Sequence, residues 1–255
     1  MSLIQGHNIS EWIQNRSQYS YIPGKLLLSE GPSSDFDWGQ LHLNSYVPDS
    51  KSTSKWGSSV ELDHYHQNLL MSEKDDDLIV GFLSVIFWGY VSGSDGIVRT
   101  ARALGKVRSF RDGRANQTPT SKNELLQSLK KSRELVAQKD YGKALYQLMS
   151  IKYLGMSFAS KVVMFMSPSQ TAIYDSVIAE RLSKYESLSH LYVKTLGATE
   201  KEKINQCNTY EKWCGFCWQT AGVLNTHHAH WTDWDKQPKL FRAVDVERSF
   251  FALGR

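Results

Sequence analysis

Cysteine is scarce in this chain of 255 residues. Only Cys207, Cys214 and Cys217 occur, and an odd number of cysteines implies no disulfide framework. The first residues also lack the basic and apolar segments of a secretory signal. These absences favour a reducing compartment, and we expect the protein in a bacterial cytoplasm, at the nucleoid, or in a nucleus.

Long hydrophobic runs and the common motifs of nucleotide and hydrolase chemistry are missing as well. The longest apolar run covers residues 78–90, is interrupted by two glycines and a serine, and is too short to span a membrane. We therefore expect no membrane partner. The sequence has no Gly-rich nucleotide loop, no Gly-x-Ser-x-Gly elbow and no His-Glu-x-x-His, so any catalysis must use other residues.

Charge of one sign is not in large excess, since the formal net charge is only +4. The hydrophobic fraction of 41% and the charged fraction of 22% are ordinary for a soluble globular protein. The basic residues nevertheless cluster. Between residues 99 and 114 the chain has one acid, Asp112, and six bases, namely Arg99, Arg102, Lys106, Arg108, Arg111 and Arg114. Such a cluster either forms a solvated helix face or creates a positive field that attracts phosphates.

Helical patterns dominate after residue 57, and the sequence predicts a mainly α fold, a compact two-lobed helical bundle. Leu62, Tyr65 and Leu69 follow helical spacing, and an acidic run at 75–77 precedes an apolar helix that we expect in the core. Ser121 and Glu124 form a capping box that opens a helix to about residue 138. Further helices are predicted at 97–107 with Asp95 as its cap, and at 140–152, 175–184, 188–194, 200–224 and 244–253.

Residues 1–57 have a different composition, and we expect an irregular segment packed on a helical domain of residues 58–255. A short helix is predicted near Ser10, and residues 24–28 form either a strand or a buried turn. From Glu30 to Lys55 the chain is rich in Ser, Asp, Gly and Pro, which predicts a loop.

The most informative stretch runs from Gly155 to Asp175. Nearly every residue between Phe158 and Met166 is small or apolar, yet Lys161 lies among them. A lysine in apolar surroundings loses some preference for its charged form, and its neutral amine is a nucleophile. A nearby aspartate can stabilise a developing positive charge or accept a proton. Composition leaves two simpler interpretations open: Lys161 extends to water from an amphipathic helix, and Asp175 only caps the next helix.

This stretch resembles the helix–hairpin–helix DNA glycosylases, which place a lysine after the hairpin and an aspartate at the start of a following helix. It is most similar to a bacterial branch of the 8-oxoguanine DNA glycosylase fold, whose pattern Gly-x-x-Phe-x-x-Lys matches Gly155, Phe158 and Lys161. Residues 87–93 and 106–108 are also similar to that branch. The usual hairpin, Gly-x-Gly-x-Lys, has a second glycine that this chain lacks.

The resemblance implies a helix–hairpin–helix element near 143–166 and a glycosylase that excises a damaged purine such as 8-oxoguanine, with or without lyase activity. The substrate would be double-stranded DNA whose damaged nucleotide is flipped into a cleft. Lys161 would be the nucleophile, and Asp175 would stabilise charge and help to deprotonate it. The resemblance and the basic cluster together give candidate phosphate contacts, namely Gly155, Met156, Ser157, Ser160, Arg99, Arg102 and Lys106.

Two other hypotheses about function stay open. In the first, the protein is a non-catalytic helix–hairpin–helix module that binds DNA or another partner, and Lys161 only touches a phosphate. In the second, it is a helical enzyme without affinity for DNA. We expect a monomer that needs no cofactor.

The cysteines raise the question of a bound metal. Their spacing, Cys-x6-Cys-x2-Cys, begins the four-thiolate iron–sulfur motif of the endonuclease III type in the same superfamily, but the fourth position here is Val223. A zinc site made of Cys214, Cys217 and two histidines from 227–230 would have an unusual spacing. We therefore expect no metal, interpret Cys217 as a core residue, and interpret His64 and His66 as surface or structural residues.

Overall fold

The computed structural model describes residues 8–19, 21–29, 34–47, 58–91, 97–114, 117–197 and 199–253. It is mainly helical, which confirms the fold class, whereas the division into two lobes stays a prediction. The helices are α1 (Ile9–Gln18), α2 (Ser59–Leu70), α3 (Asp75–Val91), α4 (Thr100–Asp112), α5 (Lys122–Ala137), α6 (Tyr141–Leu148), α7 (Met156–Met166), α8 (Ser176–Leu182), α9 (Glu200–Thr226) and α10 (Ala243–Ala252).

Most helix boundaries follow from capping residues in the sequence. Ser121 and Glu124 form the predicted capping box, in which each side chain accepts a hydrogen bond from the other's backbone N–H. α4 begins three residues later than expected, and the predicted cap Asp95 lies outside the described residues. A short 3-10 helix, Glu186–Leu191, covers part of the helix predicted at 188–194.

The N-terminal part of the chain contains more regular structure than the sequence predicts. α1 begins after Asn8, whose side chain accepts a hydrogen bond from the backbone N–H of Ser10. An antiparallel sheet follows, with strand order β1-β3-β2. Its strands are β1 (Lys25–Leu28), β2 (Phe36–Trp38) and β3 (Leu41–Tyr46). A short antiparallel pair, β4 (Trp231–Thr232) and β5 (Pro238–Lys239), lies before α10.

The loop predicted from Glu30 to Lys55 is therefore wrong at β2 and β3. Alternate residues in these strands are buried, and they form the face of the sheet that packs on the core: Phe36, Trp38, Leu41 and Leu43. The polar residues between them dominate the composition and hide this alternation. Composition alone could not reveal a sheet whose strands are three and six residues long.

α3 lies in the centre of the core. Residues 78–88 are all buried, and α2, α4, α7 and β1 pack around the helix. Its buried hydroxyl, Ser84, accepts the backbone N–H of Leu26 and contacts Nε2 of His66, both at 3.0 Å. His66 is thus a structural residue, and burial lowers its pKa to about 4. Within the described ranges, no helix is both long and apolar enough to cross a membrane.

A network of buried ion pairs fixes α10 to α1 and α2. Asp63 accepts hydrogen bonds from Arg248 at 2.6 and 2.9 Å and from Arg242 at 2.6 Å. Asp245 accepts from Arg242 and from Arg16, both at 2.8 Å. Burial alone would raise the pKa of Asp63 and of Asp245, but the guanidinium groups outweigh it and hold both pKa values below the ordinary range. We call these five residues the α10 ion network.

The connection between α6 and α7 leads directly into the segment that carries Lys161. Within it, Tyr153 has a φ of 69°, the left-handed conformation that glycine adopts most easily. The Tyr153 hydroxyl donates to the carbonyl of Gln117 at 3.0 Å and accepts the N–H of Arg114 at 3.2 Å. These bonds fix the connection to a neighbouring segment. The classification of α6 and α7 as a helix–hairpin–helix stays a prediction.

Candidate active site

Lys161 lies in the second turn of α7 and is buried. Only 7% of the residue is exposed, which rules out the interpretation of a side chain that extends freely into water. The surrounding sequence explains this burial, since Met156, Ala159 and every residue from 160 to 166 are buried. α7 therefore brings a cationic side chain to the edge of the apolar core.

The amine of Lys161 faces Asp175. Nζ lies 3.4 Å from Oδ2 of Asp175 and 3.3 Å from the backbone carbonyl oxygen of Ser157. Both distances are long for hydrogen bonds to an ammonium group. The Lys161 side chain is 9% exposed and that of Asp175 is 20% exposed. The pair is thus loosely held, and it opens to solvent on the side of the aspartate.

Asp175 divides its two carboxylate oxygens between two tasks. Oδ1 caps α8 by accepting the backbone N–H groups of Val177 at 3.0 Å and of Ile178 at 3.2 Å. Oδ2 is the oxygen that faces Lys161. The capping interpretation is confirmed, and it is compatible with a role for the second oxygen at the amine.

Ser160 connects the lysine helix to the aspartate segment. Its hydroxyl donates to the backbone carbonyl of Tyr174 at 3.1 Å and accepts the Tyr174 N–H at 3.0 Å. This pair of bonds fixes the residue before Asp175 against α7, next to Lys161. Ser160 is completely buried and its side chain is used inside the protein, so its contact with a DNA phosphate stays a prediction that concerns the backbone alone.

The start of α7 offers free backbone donors. Gly155 precedes the helix with extended backbone, and no neighbouring atom lies within 4 Å of the place that its Cβ would occupy. Phe158 and Ala159 donate the first N–H groups of the helix, to the Gly155 carbonyl, at 3.1 and 3.0 Å. The N–H groups of Met156 and Ser157 precede these bonds and point out of the helix end. The Met156 side chain is buried, so only its backbone can contact a phosphate.

A glycine of α3 allows the lysine side chain to lie where it does. A Cβ on Gly89 would overlap the ring of Phe158 and lie 3.4 Å from Cδ of Lys161. Nζ of Lys161 is 5.1 Å from the centroid of that ring, which stacks on Tyr90 at 4.3 Å. One weak signal of this approach is visible in the sequence, a glycine inside an apolar helix.

The structure brings two of the three predicted arginine and lysine contacts toward this stack. Arg102 and Lys106 of α4 lie 5.8 and 5.6 Å from the centroid of the Tyr90 ring. Arg99 directly precedes α4, and its guanidinium donates to the carbonyl of Ile97 at 3.4 Å. One end of the basic cluster is therefore next to the aromatic side of the lysine site.

The other end of the basic cluster serves the N-terminal sheet. Arg108 donates to the backbone carbonyl of Asp35 at 2.8 Å. Arg111 donates to the carbonyl of Asp37 at 2.5 Å and pairs with Asp112. These two arginines have structural partners, which a count of basic residues along the sequence does not reveal.

Glu247 of α10 was not among the residues predicted for the site. The residue is buried, and its Oε2 has no hydrogen-bond partner. Burial raises the pKa of Glu247 to about 8, and the negative charge of Asp175 adds to that effect. Lys161 also interacts with it electrostatically. The only signal in the sequence was a glutamate inside an amphipathic helix. A glutamate in that position is most often exposed.

The cysteine thiols are buried and poorly suited to bind a metal. Burial raises the pKa of Cys207 and of Cys214 to about 12, and that of Cys217 far above its usual range. Metal ligation needs the thiolate. Across the described ranges, no cluster of three His, Cys, Asp or Glu side chains could hold an ion. Cys217 lies in the core, as predicted.

A groove of about 630 Å³ lies along α9, between residues that include Phe216, Trp218 and Phe241. Neither Lys161 nor Asp175 lines it. Its size therefore does not make it the reactive site, and we place the candidate site by its chemistry, at the Lys161–Asp175 pair.

Comparison with known proteins supports a glycosylase family. A family model described as "Putative 8-oxoguanine DNA glycosylase OGG-like protein" matches residues 59–251, which is most of the chain and includes Lys161, Asp175 and Glu247. No curated protein matches, and no solved structure matches.

Proposed function

Because the chain belongs to the OGG-like 8-oxoguanine DNA glycosylase family, we propose that it excises a damaged purine such as 8-oxoguanine from double-stranded DNA. The observation that carries the proposal is the buried Lys161 amine, 3.4 Å from the free oxygen of Asp175. A nucleophile beside a carboxylate, partly open to solvent, is an arrangement that supports attack on a sugar.

DNA would approach the start of α7. The N–H groups of Met156 and Ser157 and the N-terminal end of the helix dipole favour a phosphate there. Arg102 and Lys106 would add phosphate contacts from α4, which position the duplex without reading its sequence. The target nucleotide would have to leave the base stack to bring its C1′ atom to Lys161.

The chemical steps then follow from the two groups. The neutral amine of Lys161 attacks C1′, the glycosidic bond breaks, and the base leaves with the bonding electron pair and takes up a proton. Loss of the amine proton and opening of the sugar ring give a Schiff base between Nζ and C1′. In a lyase step, removal of a C2′ proton would break the C3′–O bond and cut the strand.

Asp175 has a suitable position for two contributions. Its Oδ2 can accept the proton that Lys161 must lose before attack. The same negative charge then stabilises the positive charge that develops on the sugar as the glycosidic bond breaks. Because Oδ1 is fixed by two N–H groups of α8, the carboxylate needs little reorganisation during the reaction.

The non-catalytic alternative fits the site less well. A lysine that only contacts a phosphate is best placed on the surface, where its side chain can move. Its ammonium group then stays in water in the free protein, and no energy is spent on burying the charge. Lys161 is instead buried against Phe158 and directed at a carboxylate. This arrangement favours a group that reacts over one that only binds.

Borohydride trapping on duplex DNA with a single 8-oxoguanine tests the proposal. The wild-type protein should form a covalent adduct, and Lys161→Ala should form none. Lys184→Ala is the matched control, because Lys184 is exposed just after α8 and pairs with the surface residue Glu180. Salt-sensitive DNA binding by the wild type without any adduct or base release would support the non-catalytic module instead.

A further inference from the structure

The N-terminal segment, which comprises α1 and the sheet β1-β3-β2, reaches the lysine site through Tyr21. This residue lies between α1 and β1, outside the range 59–251 that the family model matches. Its hydroxyl donates a hydrogen bond to the backbone carbonyl of Gly89 at 3.2 Å. Its ring packs on that of Trp88, with the centroids 4.6 Å apart. The proposed reaction does not use Tyr21, although the residue contacts the helix beside the amine.

The carbonyl of Gly89 needs a donor of this kind. Gly89 lies in the last turn of α3, and carbonyl groups at the end of a helix receive no hydrogen bond from a following turn. The carbonyl of Val91, in the same turn, accepts the backbone N–H of Arg99 at 2.7 Å. Because the carbonyl of Gly89 accepts from Tyr21, the N-terminal segment helps to fix the last turn of α3.

The lysine side chain lies against this same turn. Gly89 has no side chain, and a Cβ there would overlap the Phe158 ring and lie 3.4 Å from Cδ of Lys161. The next residue, Tyr90, stacks on Phe158 with the ring centroids 4.3 Å apart. Nζ of Lys161 is 5.1 Å from the centroid of the Phe158 ring. A displacement of the last turn of α3 would therefore move both the ring and the amine.

The amine tolerates little displacement. Nζ of Lys161 is 3.4 Å from Oδ2 of Asp175, which is already long for a hydrogen bond. Asp175 is fixed separately, by the N–H groups at the start of α8, so it does not follow a movement of the lysine. Misplacement of a catalytic group by about 1 Å can reduce a rate by about 100-fold.

We propose that Tyr21 is a positioning residue for Lys161. Its hydroxyl holds the carbonyl of Gly89, and with it the turn of α3 that supports the lysine side chain. The N-terminal segment is then required for catalysis although Tyr21 contacts no reacting atom. This inference rests on the proposed function for its effect on base excision, but the placement of the amine does not.

Tyr21→Phe removes the hydroxyl and keeps the ring. On duplex DNA with one 8-oxoguanine, the single-turnover rate at saturating protein should fall by about 10- to 100-fold, and Kd should change by less than about twofold. Tyr65→Phe is the matched control, because the Tyr65 hydroxyl donates to the backbone carbonyl of Leu26 and so also links a helix to the N-terminal segment. This variant should lose similar stability in urea, since each variant gives up one hydrogen bond, and should keep the wild-type rate.

A double-mutant cycle tests whether Tyr21 acts through Gly89. Gly89→Ala displaces the same lysine side chain, so Tyr21→Phe should reduce the rate by a smaller factor in that variant than in the wild type. Tyr65→Phe has no contact with Gly89, and its effect should be the same in both backgrounds. An effect of Tyr21→Phe that is equally large in both backgrounds would overturn the inference.

A second readout needs no catalytic activity. An amine-reactive acylating reagent should label Lys161 faster in Tyr21→Phe than in the wild type, because a displaced amine is more accessible, whereas Tyr65→Phe should match the wild type. Peptide mass spectrometry measures the labelled fraction, with the exposed Lys184 as the internal reference. This measurement also applies if the wild type excises no base, which would overturn the proposed function but not the placement of the amine by Tyr21.

The outcomes separate a positioning role from the two simpler roles of Tyr21. A slower reaction at unchanged DNA affinity, with faster labelling of Lys161, supports the inference. Equal behaviour of Tyr21→Phe and Tyr65→Phe overturns it, because the hydroxyl would then contribute to stability alone. Weaker DNA binding at an unchanged rate also overturns it, because Tyr21 would then contact the DNA. Unchanged labelling of Lys161 in Tyr21→Phe overturns it even if the rate falls, because the amine would not have moved.

Discussion

The α10 ion network and the pair of Lys161 and Asp175, which we call the Lys161 cluster, are two groups of charges that are built differently. In the network, every carboxylate accepts short hydrogen bonds from two guanidinium groups, at 2.6 to 2.9 Å. In the cluster, the lysine contacts a single carboxylate, that of Asp175, at 3.4 Å. The network contains one defect, the unpaired Nε of Arg248.

This difference indicates that the network stabilises the fold, whereas the cluster is suited to a reaction. Closely matched buried charges hold each other in one geometry, and breaking one pair leaves an uncompensated charge in the core. The contact between Lys161 and Asp175 is longer, so the fold depends on it less, and a proton can transfer between the two groups. We therefore expect substitutions in the network to change stability and substitutions in the cluster to change reactivity.

The largest effect on stability should come from the network. Asp63→Asn leaves the buried Arg248 and Arg242 without one of their counter-charges and should lower the free energy of unfolding by about 3–5 kcal/mol. Lys161→Met should change it by less than about 1.5 kcal/mol, because an apolar side chain of similar length can fill the same place. Urea unfolding at neutral pH measures both. Equal losses would show that the cluster is as structural as the network.

The second effect concerns Glu247 and its pH dependence. Its pKa is raised from 4.5 to about 8 in the folded protein, so the folded state binds more protons than the unfolded state in this interval. Stability should therefore fall as the pH rises from about 4.5 to about 8 and then level off, by an amount on the order of a few kcal/mol. Glu247→Gln should remove this contribution and be more stable than the wild type at pH 8. Urea unfolding across this pH range measures the difference, and a Gln variant that keeps the wild-type slope would contradict the assignment.

The third effect tests how closely the cluster is packed. Gly89→Ala places a Cβ against the Phe158 ring and should cost about 1–3 kcal/mol of stability and displace the lysine side chain. Gly215→Ala in α9 is the control, because its Cβ would meet no atom within 4 Å and should stabilise the helix by up to about 1 kcal/mol. Thermal unfolding compares them, and labelling of Lys161 should increase only in Gly89→Ala. Unchanged stability and labelling in that variant would mean that α3 adapts to the extra methyl group.

The smallest effect on stability should come from Asp175→Asn. An asparagine side chain still caps α8, so the free energy of unfolding should change by less than about 1 kcal/mol. Base excision should nevertheless fall by about 100-fold or more, because the negative charge at Oδ2 is lost. Single-turnover rates and urea unfolding on the same samples measure both quantities. A large loss of stability with little loss of rate would make Asp175 a cap and nothing more.

How much of this was predictable from the sequence depends on the range of the interactions. Helix ends set by local caps, such as Ser121 and Asp175, were visible, and so was the unusual position of Lys161. The sheet and the α10 ion network depend on contacts between segments that are distant in the sequence, as between Asp63 and Arg248. No local sequence pattern predicts such contacts. The raised pKa of Glu247 was not predictable for the same reason, since it comes mainly from burial by segments that are distant in the sequence.

The most direct test of the account is to locate the covalent bond. After borohydride reduction of the reaction on duplex DNA that contains 8-oxoguanine, the protein is digested and the DNA-linked peptide is identified by mass spectrometry. We expect the sugar to be attached to Nζ of Lys161 and the adduct to carry no 8-oxoguanine base. An adduct on another lysine or on the N-terminal amine, or no adduct despite base release, would contradict it.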